Sequence, residues 1–134
     1  MLKLEIVTPE RRVVDTEVES VTVPTASGEA GILTNHAPLI SALKPGVLSY
    51  AAKGKTEELA ISTGFVEVSN NQVSVLTDVA ESSDEIDSAQ AKTDREEAEK
   101  ELAANAAAEA EANAAIRERI ELANARLVLA ARAN

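Results

Sequence analysis

The chain has 134 residues, no cysteine, a single histidine and a formal net charge of −10. That charge opposes nucleic acid and anionic lipid as primary ligands, and with Tyr50 and Phe65 as the only aromatics there is no base-stacking surface. The missing cysteines exclude disulfides, a thiol nucleophile and a thiolate metal site, and one histidine is too few for zinc, so neither a metal nor a cofactor is expected.

The chain opens on alternation. Leu2, Leu4 and Ile6 alternate with Lys3 and Glu5, as in a half-buried strand, and Thr8-Pro9 ends the run. Val18, Ser20 and Thr22 alternate against Glu19, Val21 and Val23. Further strand patterns follow at Leu59-Ile61, Phe65-Val66-Val68 and Val73-Val75. Turn signals separate them at Ser27-Gly28, Lys44-Pro45-Gly46, Lys53-Gly54-Lys55 and Asn70-Asn71. Short strands at this spacing predict a sandwich or barrel. No run approaches the roughly 18 apolar residues of a spanning helix, so no direct membrane insertion is expected.

Between these strands, Gly28 to Leu39 packs two glycines and the only histidine into twelve residues. The paired glycines suggest backbone positions closed to other residues, and Ala37-Pro38 demands an extended or turn conformation. The segment reads as an irregular loop, anchored by Ile32-Leu33, with Glu29, Asn35 and His36 pointing outward. Such a polar edge suits docking better than chemistry. On residues alone, His36 is an ordinary loop histidine bonded to backbone.

From Phe65 onward there is neither glycine nor proline, and composition changes near Ala80 to Asp84. Ser82, Ser83, Asp84 and Asp87 are helix N-cap candidates, and the Ala-rich remainder predicts two helices. The first has a weak apolar face of Ile86, Ala91, Ala98 and Leu102. The second has a stripe of Ile116, Ile120, Ala123, Leu127 and Ala130. An antiparallel hairpin turning between Asn105 and Asn113 fits this pattern, although nothing from Ala103 to Ala115 forces a break. Its seam is mostly Ala on Ala, so opening should cost little. The expected fold is therefore α+β, with an antiparallel β-sandwich over residues 1–83 and an α-helical hairpin arm over residues 84–134.

The run Gly28-Glu29-x-Gly31-Ile32-Leu33-x-Asn35-His36-Ala37-Pro38-Leu39, with Leu43-Lys44-Pro45-Gly46-Val47-Leu48 after it, closely resembles the epsilon subunit of the rotary F-type ATP synthases. Leu4-Glu5-Ile6-Val7-Thr8-Pro9, Ser62-Thr63-Gly64-Phe65-Val66-Glu67-Val68 and Val73-Ser74-Val75-Leu76-Thr77-Asp78 extend the likeness over the first eighty or so residues. The resemblance implies a non-catalytic central-stalk subunit whose sandwich binds the gamma subunit and docks on the c-ring through Glu29, Gly31, Asn35 and His36. It implies coupling of proton-driven rotation to ATP synthesis, and an arm that inhibits hydrolysis by reaching an acidic segment of a beta subunit. Arg117, Arg119, Arg126 and Arg132 are the candidates for that contact, the last two foremost because no acids follow them. The implied place is the cytoplasmic face of the bacterial plasma membrane, or the stromal face of the thylakoid.

Some family members bind ATP through Ile/Leu-Asp-x-x-Arg-Ala, which aligns with Ile86-Asp87-Ser88-Ala89-Gln90-Ala91. Gln90 replaces the arginine and removes its charged fork, so Asp87 is better read as a helix cap and ATP binding is not expected. The alternatives are a helical adaptor with a β-sandwich handle, which would self-associate through Ile116, Ile120 and Leu127, or a ligand-binding sandwich. An enzyme lacks the residue inventory.

Overall fold

The computed structural model describes residues 1–107 and 110–132. Ten strands come first: β1 (Leu2–Val7), β2 (Arg12–Val18), β3 (Ser20–Thr25), β4 (Gly28–Leu33), β5 (Leu39–Leu43), β6 (Gly46–Ala52), β7 (Lys55–Ile61), β8 (Gly64–Ser69), β9 (Gln72–Thr77) and β10 (Ala80–Glu81). One face of the fold runs β10-β7-β6-β3-β4 and the other β5-β8-β9-β1-β2. A single pairing, Thr25 with Leu43, joins the two. This is the expected sandwich with one departure: β1 and β9 pair in parallel, Leu4 opposite Val73 and Ile6 opposite Val75, while all other ladders are antiparallel. A parallel pair needs a long crossover, and here it is nearly the whole sandwich.

Period two explains the core. Leu2, Leu4 and Ile6 of β1 point inward with Val21 and Val23 of β3, Leu48 of β6, Ile61 of β7, Val66 and Val68 of β8, and Val73 and Val75 of β9. The main core contains no residue beyond Ala80. Two tight hairpins have positive φ at both central residues, Lys53-Gly54 (53° and 76°) and Asn70-Asn71 (49° and 59°), which matches the twist of the strands they join.

A short 3₁₀ turn (Ser83–Glu85) leads into α1 (Ser88–Ala104) and α2 (Ala110–Arg132). Asp87 caps α1, its side chain accepting from the Gln90 amide. The helices are antiparallel: Arg95 bonds Asn124, Glu101 bonds Arg119 and Asn105 bonds Asn113, partner numbers falling as the others rise. Ala91 and Ala98 of α1, with Ile116 and Ala123 of α2, are buried, while Leu102, Ile120 and Leu127 are half-buried at the margin. Ile86 is not on α1. It precedes the cap and packs with Ala60, Ala125 and Leu129 where the arm meets the sandwich.

The turn starts at Asn105 without glycine or proline. Asn113, 3% exposed, donates from Nδ2 to the Asn105 carbonyl, and its buried Oδ1 has no partner among the described residues. An unmatched buried oxygen costs about 1–3 kcal/mol, so Asn113 ties α2 to the end of α1 at the expense of stability. Asn113→Ala should raise the helical circular dichroism signal as α1 and α2 extend into the freed turn. An unchanged signal would show that the break is set elsewhere.

Candidate functional site

The segment Gly28 to Leu33, expected to be an irregular loop, is strand β4. Among the described residues it pairs with β3 alone, which leaves its other edge without a strand partner. Glu29, Gly31 and Leu33 alternate outward along it, and Leu33 is 63% exposed; of the expected apolar anchors, only Ile32 is buried. Gly28 needs its identity, with φ at 124°. Gly31 does not: a Cβ there would meet nothing within 4 Å, so its smallness leaves open space rather than satisfying this fold.

The structure does not gather Glu29, Gly31, Asn35 and His36 into one loop. Glu29 lies at the start of β4, opposite Pro24, and lines a groove with Lys44, Val128 and Arg132 beside the arm. Leu33 is about 13 Å further on, at roughly 3.3 Å per residue, and Asn35 and His36 lie beyond it. Glu29 and Gly31 therefore lie on the β4 strand, and Asn35 and His36 in the turn beyond its far end. Asn35 has φ at 67°. The His36 amide bonds the Leu33 carbonyl (3.1 Å), and its Nδ1 lies 2.7 Å from the Ala37 carbonyl. A carbonyl only accepts, so Nδ1 carries the proton and Nε2 is the free nitrogen.

A second surface was not anticipated. Because Val66 and Val68 point inward, Phe65 points out. It is 60% exposed and stands beside Leu76 (57%), with Ala42 and Val7 continuing the row across the strands. Ile40, on the same sheet, is 75% exposed. This contiguous apolar face on so acidic a chain marks a contact surface. Period two alone would have found it, since core Val66 and Val68 exclude Phe65 from the interior. Gly64 at its margin is required by close approach: a Cβ would sit 1.9 Å from the Leu76 carbonyl oxygen.

The arginines of the arm divide. Arg126 donates to Glu81 at 2.6 Å, both side chains largely buried, and Arg132 is paired with Glu58 of β7. The two residues expected to be free for an external partner thus hold the arm to the sandwich, because α2 runs back along β6 and β7, within reach of Glu58 on β7 and of Glu81 on the neighbouring β10. Arg119 pairs with Glu101 inside the hairpin (2.7 Å). Arg117 is exposed and has no ion pair among the described residues.

Asp87 and Gln90 are spent locally, the first as the α1 cap and the second donating to Asp94 at 2.8 Å. Arg95 turns to Asn124 and Glu99, and Arg126 to Glu81, so these cations do not converge on one pocket. Among the described residues no cluster of three or more His, Asp or Glu is arranged to hold a metal, and no helix is long and apolar enough to cross a membrane. At the joint between sandwich and arm, the Ser82 hydroxyl lies 2.6 Å from Asp84 and 2.8 Å from Glu85, and the Ser82 amide donates to Glu85. These bonds hold both carboxyls below their ordinary range.

Residues 1–83 match the sequence profile of the ATP synthase delta/epsilon chain β-sandwich domain. The ATP synthase epsilon chain of Carboxydothermus hydrogenoformans is 49% identical over 102 residues, covering 76% of each chain. That of Desulfitobacterium hafniense strain Y51 is 48% identical over 99 residues, covering 74% of this chain and 75% of its own. Among solved structures, a chain of the Euglena gracilis mitochondrial ATP synthase OSCP/F1/c-ring assembly superposes with a TM-score of 0.78 at 25% identity, covering 98% of this chain and 81% of its own. A chain of the Tetrahymena thermophila ATP synthase central stalk and c-ring shares the fold, with a TM-score of 0.56 at 14% identity.

The joint yields a pH prediction. A depressed carboxyl stabilises the fold fully above its unfolded value, and that contribution is lost as pH falls through the folded value. Ser82→Ala should move the carboxyl titrations of Asp84 and Glu85 by NMR up toward their ordinary 3.8 and 4.5. Unmoved midpoints would mean that Ser82 does not hold them.

Proposed function

The chain belongs to the family of ATP synthase epsilon chains, and on that premise we propose that its sandwich is a dock and its two-helix arm a regulator of ATP hydrolysis. It is a non-catalytic subunit. The gamma subunit binds the apolar outer face around Ile40, Phe65 and Leu76, and the c-ring takes the free edge of β4 from Glu29 through Gly31 to Asn35 and His36. Rotation driven by protons at the c-ring is thereby transmitted to the catalytic head from the cytoplasmic face of a bacterial membrane. The similar chain of the Euglena gracilis structure, an assembly with F1 and the c-ring, supports this reading.

The observation that carries the division of labour is the composition of the main core, which the sandwich completes without any residue of the arm. The arm is held down by a small apolar contact, of Ala60, Ala125 and Leu129, by the pairs Arg126–Glu81 and Arg132–Glu58, and at its root by Arg11–Glu85. Releasing it frees Arg126 and Arg132, beside the already exposed Arg117, for an acidic segment of a beta subunit. In this reading the same arginines serve both positions, so the sandwich acids compete with the catalytic subunit for them. No nucleotide site is assigned to the arm, because Asp87, Gln90, Arg95 and Arg126 are committed elsewhere. The helical-adaptor alternative is disfavoured, since Ile116 is buried and Ile120 and Leu127 are half-buried within the hairpin.

The test is to add the full chain, or a chain ending at Ser83, to a catalytic head that lacks this subunit. Both should co-elute with the head through gamma, and only the full chain should slow ATP hydrolysis. Loss of binding on truncation would refute the division, and equal hydrolysis rates would remove the inhibitory role.

A further inference from the structure

The His36 loop depends on a residue far away in sequence. Asn35 adopts φ 67°, a conformation that costs a side-chain-bearing residue about 1–2 kcal/mol and that asparagine tolerates better than most. Its amide donates to Asn71 Oδ1 at 2.6 Å, and Asn71 Nδ2 donates back to Asn35 Oδ1 at 3.3 Å. The two side chains form a reciprocal clasp between the 34–38 loop and the β8–β9 turn. Asn71 is itself fixed, since it sits in a hairpin turn with φ 59° and its carbonyl accepts from the Lys3 amide at 2.9 Å, at the start of β1. A continuous set of bonds therefore runs from β1 through Asn71 to Asn35, and then to His36, whose amide and imidazole are tied to Leu33 and Ala37.

We propose that Asn71 is a positioning residue that holds the His36 loop in its docking form, so that the 34–38 loop and the Asn70-Asn71 turn meet the polar loops of the c-ring as one rigid tip. This rests on the reading of Asn35 and His36 as a c-ring contact. Docking through a loop already ordered loses less conformational freedom on binding than docking through a loose one. The clasp supplies that order at a segment which no strand pairing reaches, between the ends of β4 and β5.

Two substitutions separate the side chain from the backbone. Asn71→Gly keeps a residue at home at positive φ and removes the clasp, whereas Asn71→Asp keeps the acceptor for the Asn35 amide. In the full chain, Asn71→Gly should speed hydrogen exchange of the Asn35 amide about tenfold, the size expected for one lost hydrogen bond. It should also weaken binding to detergent-purified c-ring as His36→Ala does, while Asn71→Asp stays near the parent in both assays. An Asn35 amide still protected in Asn71→Gly overturns the clasp. If that amide is freed and c-ring affinity holds, in a chain where His36→Ala does weaken it, the positioning role is overturned. Should His36→Ala bind the c-ring normally, it is the docking reading that fails, and the clasp is then judged by amide exchange alone.

Discussion

The arm is fastened to a sandwich that does not need it. Leu2, Leu4, Ile6, Val66, Val68, Val73 and Val75 close the core between two sheets, and the helices add nothing to that cluster. What the arm buries against the sandwich is Leu129 with Ala125, packed on Ala60 and flanked by Val47 and Ile86. A fully buried leucine contributes about 1.5–3 kcal/mol, and the alanines much less. The ion pairs add little where they are exposed, typically below about 1 kcal/mol, and where they are covered the cost of desolvation offsets the stronger attraction. Arg126–Glu81 is the less exposed of the two.

A joint held by a few kcal/mol is the right size for a switch. At about 1.4 kcal/mol per tenfold change in population, a partner with modest preference for the released arm shifts its position without disturbing the sandwich. The hairpin has the same character internally, with Ala91, Ala98 and Ala123 at its seam and a half-satisfied Asn113 at its turn. Small residues and an unmatched polar atom keep both contacts shallow. On the proposed reading, regulation draws on this shallowness while docking draws on the rigidity of the sandwich. The two meet near Glu29, which lines one groove with Val128 and Arg132 of the folded arm.

Much of this was legible in the residues. The period-two runs of β1, β8 and β9, the turn dipeptides and the Asp87 cap follow from local rules, because each depends on neighbours in sequence. The misread features depend on distant ones. β4 lacks apolar alternation and is a strand only because β3 lies beside it, and the parallel β1–β9 pair joins residues about seventy positions apart. Arg126 and Arg132 looked unpaired because their acids, Glu81 and Glu58, lie outside helical spacing. Asn71 gave only a turn signal, since its grip on Asn35 crosses from one end-turn to another. Phe65 is the exception, as its outward orientation could have been deduced from Val66 and Val68.

The most direct test of a sandwich-held, releasable arm is the distance between spin labels at Glu57 on β7 and Ala131 on α2, next to the paired Glu58 and Arg132, introduced into a chain with no cysteine of its own. The account predicts one short distance in the parent, a long component in Glu81→Arg and in Arg126→Glu, and return of the short distance in the double charge swap. A short distance unchanged in both single variants would contradict it, because the arm would then not depend on the Arg126–Glu81 pair.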